Sequence, residues 1–204
     1  MMHHKTYGDL VEKIKDLQQK KELVFVGISG LGGSGKSTLS SRLHDEMKDA
    51  TLVCVDHFYL PSEKRGKTHN SENIISNCFD WDRLESFLTA LSKPGCCTRY
   101  QKYNWNTDCL DDWVNIHSEG LVIVEGIYCL QDRLAHKYDL SVWVDTPVEL
   151  RFERSIQRDK EGRFKGKSEE EIRKMWKEIW IPQDDRYFQK YRPDMKADIL
   201  LSGV

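Results

Sequence analysis

Five short stretches of the chain are apolar or β-branched without alternation: Leu23–Ile28, Thr51–Val55, Leu121–Val124, Leu140–Val144 and Asp198–Leu201. A strand with one wet face would alternate apolar and polar residues, whereas continuous runs belong to strands covered on both faces, as in a parallel sheet. Between the runs, apolar positions fall at helical spacing. Leu10, Val11, Ile14 and Leu17 precede the first run and Lys36–Met47 follows it. Leu84, Phe87, Leu88 and Leu91 mark another helix, Val148–Asp159 a fourth, and Ile172, Trp176, Ile179 and Trp180 a long C-terminal one. Strands alternating with helices predict an α/β fold in three layers, a mostly parallel five-stranded sheet between helices. Two stretches break the pattern. Residues 61–77 are polar and basic, and residues 95–116 are aromatic without a clear period. Both are expected to be insertions over the sheet edge where ligands bind.

Composition narrows the class. At 204 residues the chain is expected to be one domain, with an N-terminal helix in 1–21, an acceptor-side insert in 61–117 and a lid region in 151–167. With 39% hydrophobic and 31% charged residues it can build a core, which excludes a disordered chain. The net charge of −2 provides no global field for nucleic acid or an anionic membrane, so any anion site must be local. No apolar run approaches the ~20 residues that span a bilayer. The N-terminus has no apolar segment of the signal type, so a cytoplasmic location is expected. Six cysteines lie without a C-x-x-C pair, and the histidines offer no zinc-ligand spacing. Reduced thiols follow. A homo-oligomer is compatible with all of this.

The first apolar run leads into Gly30-Leu31-Gly32-Gly33-Ser34-Gly35-Lys36-Ser37-Thr38, a complete G-x-x-x-x-G-K-[ST] ahead of helix formers. Such a loop turns successive backbone N–H groups inward around phosphate oxygens, and a helix N-terminus adds positive potential. Lys36 would reach the β and γ phosphates of ATP, and Ser37 would offer its hydroxyl to Mg²⁺. Gly30, Gly32 and Gly35 also satisfy G-x-G-x-x-G, with Asp56 about 20 residues on, as in a dinucleotide-binding Rossmann fold. A dinucleotide gives no reason for a lysine and two hydroxyls just past the last glycine. A triphosphate with Mg²⁺ does, and the fold is expected to be that of P-loop NTPases.

Asp56 follows the second run, where a carboxylate can take a proton from an acceptor hydroxyl or orient hydrated Mg²⁺; a turn or cap aspartate is the alternative. Glu125 follows the third run, where an acid can position a magnesium water or cap the next turn.

These residues, with Asp56-His57-Phe58-Tyr59, Phe79-Asp80-Trp81-Asp82, Tyr103-Asn104-Trp105, Val124-Glu125-Gly126, Val144-Asp145-Thr146, Arg158-Asp159 and Ala197-Asp198, occur in an order that resembles the uridine kinase-like branch of P-loop kinases. That branch includes phosphoribulokinase and bacterial pantothenate kinases, and the resemblance spans about residues 22–201. It implies that Asp56 is the base for the acceptor hydroxyl and that Tyr59 lines the acceptor pocket. It implies further that Tyr103 holds a nucleoside and that Asp80 binds its ribose. Where uridine kinases carry a histidine that contacts the base, this chain has Asp108. The Tyr-Asp-aromatic element of the family reads Tyr103-Asn104-Trp105 here.

Arg151, Arg154 and Arg158 fall on one side of a helix, and Arg163 follows in a glycine-flanked basic stretch. The pattern resembles the family's arginine lid, which implies roles for Arg158 and Arg163 over the triphosphate; the alternative is a solvated helix face. Trp176, Trp180 and Tyr187 read as core. The expected activity is transfer of the γ-phosphoryl of ATP to a hydroxyl of a small metabolite, a nucleoside first by resemblance. A regulatory nucleotide-hydrolysing P-loop protein without an acceptor remains the rival.

Overall fold

The computed structural model describes residues 4–65 and 77–203. Helix α1 (Tyr7–Gln18) starts at a capping box in which the Thr6 hydroxyl accepts from the Asp9 N–H and the Asp9 carboxylate accepts from the Thr6 N–H. Strand β1 (Leu23–Ser29) is buried throughout, α2 (Lys36–Glu46) follows it, and β2 (Ala50–Cys54) comes next. Helix α3 (Trp81–Leu91) precedes strands β3 (Cys97–Asn104) and β4 (Cys109–His117). The chain continues through β5 (Gly120–Glu125), a short α4 (Asp132–Ala135), β6 (Leu140–Asp145) and α5 (Val148–Glu161). Helix α6 (Glu169–Met175), one π-helical turn (Trp176–Trp180), α7 (Ile181–Tyr191), α8 (Pro193–Lys196) and β7 (Ile199–Ser202) complete it.

The main sheet has the order β2-β5-β1-β6-β7 with all pairings parallel. Val24, Val26 and Ile28 of β1 pack with Leu10 and Ile14 of α1 and Leu43 of α2. Leu23 and Phe25 face the other way, into a core with Leu84 and Leu88 of α3 and Tyr187 of α7. Both faces are therefore dry, which is why the strand sequences show no alternation.

Two expectations change. The aromatic stretch read as irregular is an antiparallel hairpin of β3 and β4, joined by residues 105–108. Its register shifts between Gln101 and Tyr103, and that bulge interrupts the period-two signal while burying both Tyr100 and Tyr103. The long C-terminal helix is not uniform: Trp176–Trp180 form a π turn between α6 and α7. Of the basic stretch 61–77, residues 66–76 lie outside the described residues. Among the described residues no helix is long and apolar enough to cross a membrane.

Candidate active site

The phosphate loop links the end of β1 to α2. Gly33 has φ +76°, and a Cβ there would collide with the Arg151 carbonyl; Gly35 has φ +95° and begins α2. Only glycine occupies such positions without strain, and the missing side chain at residue 33 lets the loop lie directly against the backbone of α5. Leu31 and Ser34 are buried and anchor it from behind, and the Ser34 carbonyl accepts from the Thr146 hydroxyl at 2.9 Å.

A cavity of about 190 Å³ opens at the carboxyl ends of the strands. It brings together Gly32, Lys36 and Ser37 of the loop, Asp56 and Tyr59 after β2, Glu125 at the end of β5, and Arg158 and Arg163. Gly35 and Thr38 line a second cavity of about 730 Å³ with Arg154, Gly203 and Tyr7.

Each polar group is placed by its own element. The 3₁₀ turn Val55–Phe58 buries Val55 and Phe58 and thereby leaves Asp56 exposed in the cavity. Phe58 stacks on Tyr100 at 4.7 Å between centroids. His57 beside it is held neutral, because burial and then the Lys102 charge lower its pKa, and its Nδ1 lies 2.7 Å from the Tyr100 hydroxyl. Glu125 is buried. Its carboxylate accepts from the Ser37 hydroxyl at 3.2 Å and from the Cys54 thiol at 3.0 Å. Desolvation and the Glu125 charge push the Cys54 thiol well up, so it stays a donor.

The side of the cavity lined by Arg158 and Arg163 is aromatic. The Arg163 guanidinium lies 5.0 Å from the Trp105 ring centroid and 5.4 Å from that of Trp180, which spans the gap from the hairpin tip to the π turn. Arg158 donates through Nε to Asp159 at 2.9 Å and lies 5.8 Å from the Trp176 ring. Arg151 departs from the lid pattern. Instead of facing a nucleotide it is buried, with Nε on the Thr146 carbonyl at 3.1 Å and Nη1 on Asp184 at 3.2 Å. Arg154 donates to the Gly203 carbonyl at 2.7 Å. A periodic arginine face is here split between packing and the site.

Asp80, Tyr103 and Asp108 are not among the described residues that line the cavity of Lys36 and Asp56. Asp80 caps α3, accepting from the Arg83 N–H at 3.1 Å. Tyr103 is buried and donates to Asp108 at 2.6 Å. Asp108 also accepts from the Ser62 N–H at 3.0 Å, the Ser62 hydroxyl and Arg65 Nη2 at 3.1 Å. The Ser62 and Tyr103 hydrogen bonds hold its pKa below the usual carboxylate value.

Sequence reading missed Asp184, Trp176 as a wall and Arg65. Asp184 is buried on α7, lines the cavity and accepts from the Gly32 N–H at 2.9 Å. Trp176 lines the same cavity. Arg65 lies 4.7 Å from the Tyr59 ring and 5.9 Å from that of Trp105. None of the three stands in a local motif; the nearest signal was the acid pair Asp184-Asp185 on a helix otherwise read as core.

A model of the phosphoribulokinase/uridine kinase family matches residues 25–201. The chain belongs to this family. It is 28% identical over 191 residues to a uridine kinase of Clostridium perfringens, covering 89% of this chain and 88% of that one. In fold it is similar to a possible uridine kinase from Bacillus stearothermophilus, with a TM-score of 0.66, 17% identity and coverage of 95% and 99%. It is as similar to a D-glycerate 3-kinase from Cryptococcus neoformans, with a TM-score of 0.67, 12% identity and coverage of 97% and 94%. The family member described here is thus a P-loop phosphotransferase with a hydroxyl acceptor.

Proposed function

We propose that this kinase transfers the γ-phosphoryl of ATP to a hydroxyl of a nucleoside in the cavity between Lys36 and Asp56. One observation carries the reading: a phosphate loop, two carboxylates and two arginines from distant parts of the chain converge on one cavity at the carboxyl ends of the strands. Phosphoryl transfer needs positioning and charge neutralisation more than covalent help from the protein.

The positive φ angles of Gly33 and Gly35 give the loop the tight turn in which successive backbone N–H groups can cradle a phosphate chain. Lys36 offsets charge on the phosphates. Arg158 and Arg163 approach from the lid side, where they would neutralise the transferring group and exclude water. Ser37 and Glu125, with Asp56 across the cavity, form a hard oxygen set that suits Mg²⁺. Bound there, the ion would neutralise charge between the phosphates. Asp56 accepts the proton of the acceptor hydroxyl as that oxygen bonds to phosphorus and ADP leaves. The second cavity, beside Gly35 and Thr38, is on the side that suits the base and ribose of the nucleotide.

Asp108, held ionised by its partners, cannot donate to a pyrimidine carbonyl, so the family's base contact has no counterpart at this position. The supporting relatives are uridine kinases. The test is acceptor-dependent ADP release across nucleosides and other hydroxyl metabolites with saturating ATP and Mg²⁺. Turnover with a nucleoside upholds the reading. Turnover only with a non-nucleoside alcohol replaces the acceptor class, and acceptor-independent hydrolysis alone favours a regulatory nucleotide hydrolase.

A further inference from the structure

The transfer chemistry above leaves one wall of the cavity unused. Asp184, 4% exposed, sends a single oxygen, Oδ2, to two partners: the Gly32 N–H at 2.9 Å and Arg151 Nη1 at 3.2 Å. Arg151 Nη1 also reaches to 3.5 Å from the Gly32 carbonyl, and its Nε is tied to the Thr146 carbonyl. Both polar groups of Gly32 are therefore taken by one buried ion pair, an acid from α7 and a base from α5.

Peptide planarity gives this arrangement a consequence. In a trans peptide the C=O of one residue and the N–H of the next point in opposite directions. Holding the Gly32 carbonyl toward Arg151 turns the Gly33 N–H the other way, away from the Arg151 guanidinium. The Thr146 hydroxyl on the Ser34 carbonyl does the same for the Gly35 N–H. Donors from outside the loop thus orient amides inside it. Gly32 lies at the Asp56 end, since it shares that cavity while Gly35 and Thr38 share the other.

The same clamp runs on to the lid. A Cβ at residue 32 would come within 2.8 Å of the Trp176 ring; Trp176 Nε1 donates to Asp159 Oδ2 at 2.9 Å, and Asp159 Oδ1 accepts from Arg158 Nε. A buried ion pair is by itself weak evidence of stability, because such pairs are frequently neutral or worse than apolar residues of the same size. Nor is a carboxylate a natural wall for an anion site. Burial pushes the Asp184 carboxyl up to about 6, against the pull of Gly32, Arg151 and Lys36.

We infer that Asp184 is a positioning residue for phosphoryl transfer: with Arg151 it fixes residue 32 so that the following amides face the transferred phosphoryl. This rests on the kinase reading above for what occupies the loop.

The experiment compares Asp184→Ala, Asp184→Asn and the double variant Arg151→Met with Asp184→Leu. Melting temperature, calorimetric affinity for MgADP and for the magnesium complex of a non-hydrolysable ATP analogue, and kcat with an active acceptor are measured for each. Because both hydrogen bonds go to one oxygen, the amide oxygen of Asn can keep both, and Asp184→Asn is expected within about 3-fold of wild type in both affinities. Asp184→Ala and the double variant are expected to lose about 10-fold or more in analogue affinity and kcat, with a smaller loss for MgADP. The double variant leaves no unpaired buried charge, so it reports on the loop even if Asp184→Ala fails to fold. Analogue affinity unchanged in the folded double variant, equal weakening toward both nucleotides, or an Asn variant as impaired as Ala would each overturn the inference. Wild type that binds nucleotide but phosphorylates no acceptor would sink the kinase reading alone, since the affinity comparison still decides the role of Asp184.

Discussion

The two halves of the cavity are built in opposite ways. On the phosphate side nine consecutive residues, Gly30 to Thr38, form the loop, and their geometry follows from two left-handed glycines and a helix start. On the side proposed for the acceptor, Tyr59, Phe79 and Trp105 form a wall drawn from three separate segments. The Tyr59 ring packs against Phe79 at 4.5 Å and Trp105 at 4.6 Å, with Arg65 beside it. Under the proposed function the phosphate side would bind what every member of a kinase family must bind, so a contiguous backbone device serves. On the same proposal the other side would have to distinguish one small molecule from another, and that needs side chains brought together by packing.

The largest effect that would test this division is expected at its border. Asp56→Asn keeps shape but cannot take a proton, so kcat is expected to fall about 10²-fold to 10⁴-fold with nucleotide affinity retained. Steady-state kinetics beside nucleotide titration checks it, and near-normal turnover would reduce Asp56 to a turn residue. Lys36→Ala removes a charge from the phosphates without touching the core, and a loss of about 10²-fold to 10³-fold in kcat is expected with an unchanged melting curve. A folded variant with full turnover would dissolve the phosphate side as described.

A third test concerns the buried acid behind the loop. Burial raises Asp184 from 3.8 to about 6, so the folded protein binds this proton more tightly than the unfolded chain. The stabilisation is therefore present below about pH 4 and is lost as pH rises through about 6, amounting to about 3 kcal/mol in full. Asp184→Asn has no such slope, and its stability relative to wild type is expected to rise between pH 4 and 7. Denaturant unfolding across that range measures it; parallel profiles would show that Asp184 does not titrate there. The smallest effect sits on the aromatic wall proposed for the acceptor. Trp105 is 46% exposed, and its contact with Arg163 is of the kind worth about 0.5–1 kcal/mol. Trp105→Ala is expected to raise the acceptor KM about 2-fold to 5-fold while leaving the KM for ATP unchanged. An equal rise in both would mean that the hairpin tip serves the nucleotide instead.

Individual elements show what was legible. The run Thr51–Val55 corresponds to β2 at Ala50–Cys54, displaced by one residue because Val55 opens the 3₁₀ turn that presents Asp56. The hairpin over residues 97–117 was unreadable as strands because a bulge breaks its alternation. Arg151, Arg154 and Arg158 share a helical spacing, yet Arg151 is buried against an acid 33 residues away, which no local period can signal.

Local sequence determined the covered parallel strands, the helices between them and the phosphate loop, because dry faces, helical periods and left-handed glycines act over neighbouring residues. Tertiary structure decided that Arg151 and Asp184 clamp Gly32, that Asp108 is spent on Ser62 and Arg65, and that Trp105 meets Arg163. These are contacts between groups far apart in the chain, and a side chain's partner is set by what the fold packs beside it rather than by its own neighbours.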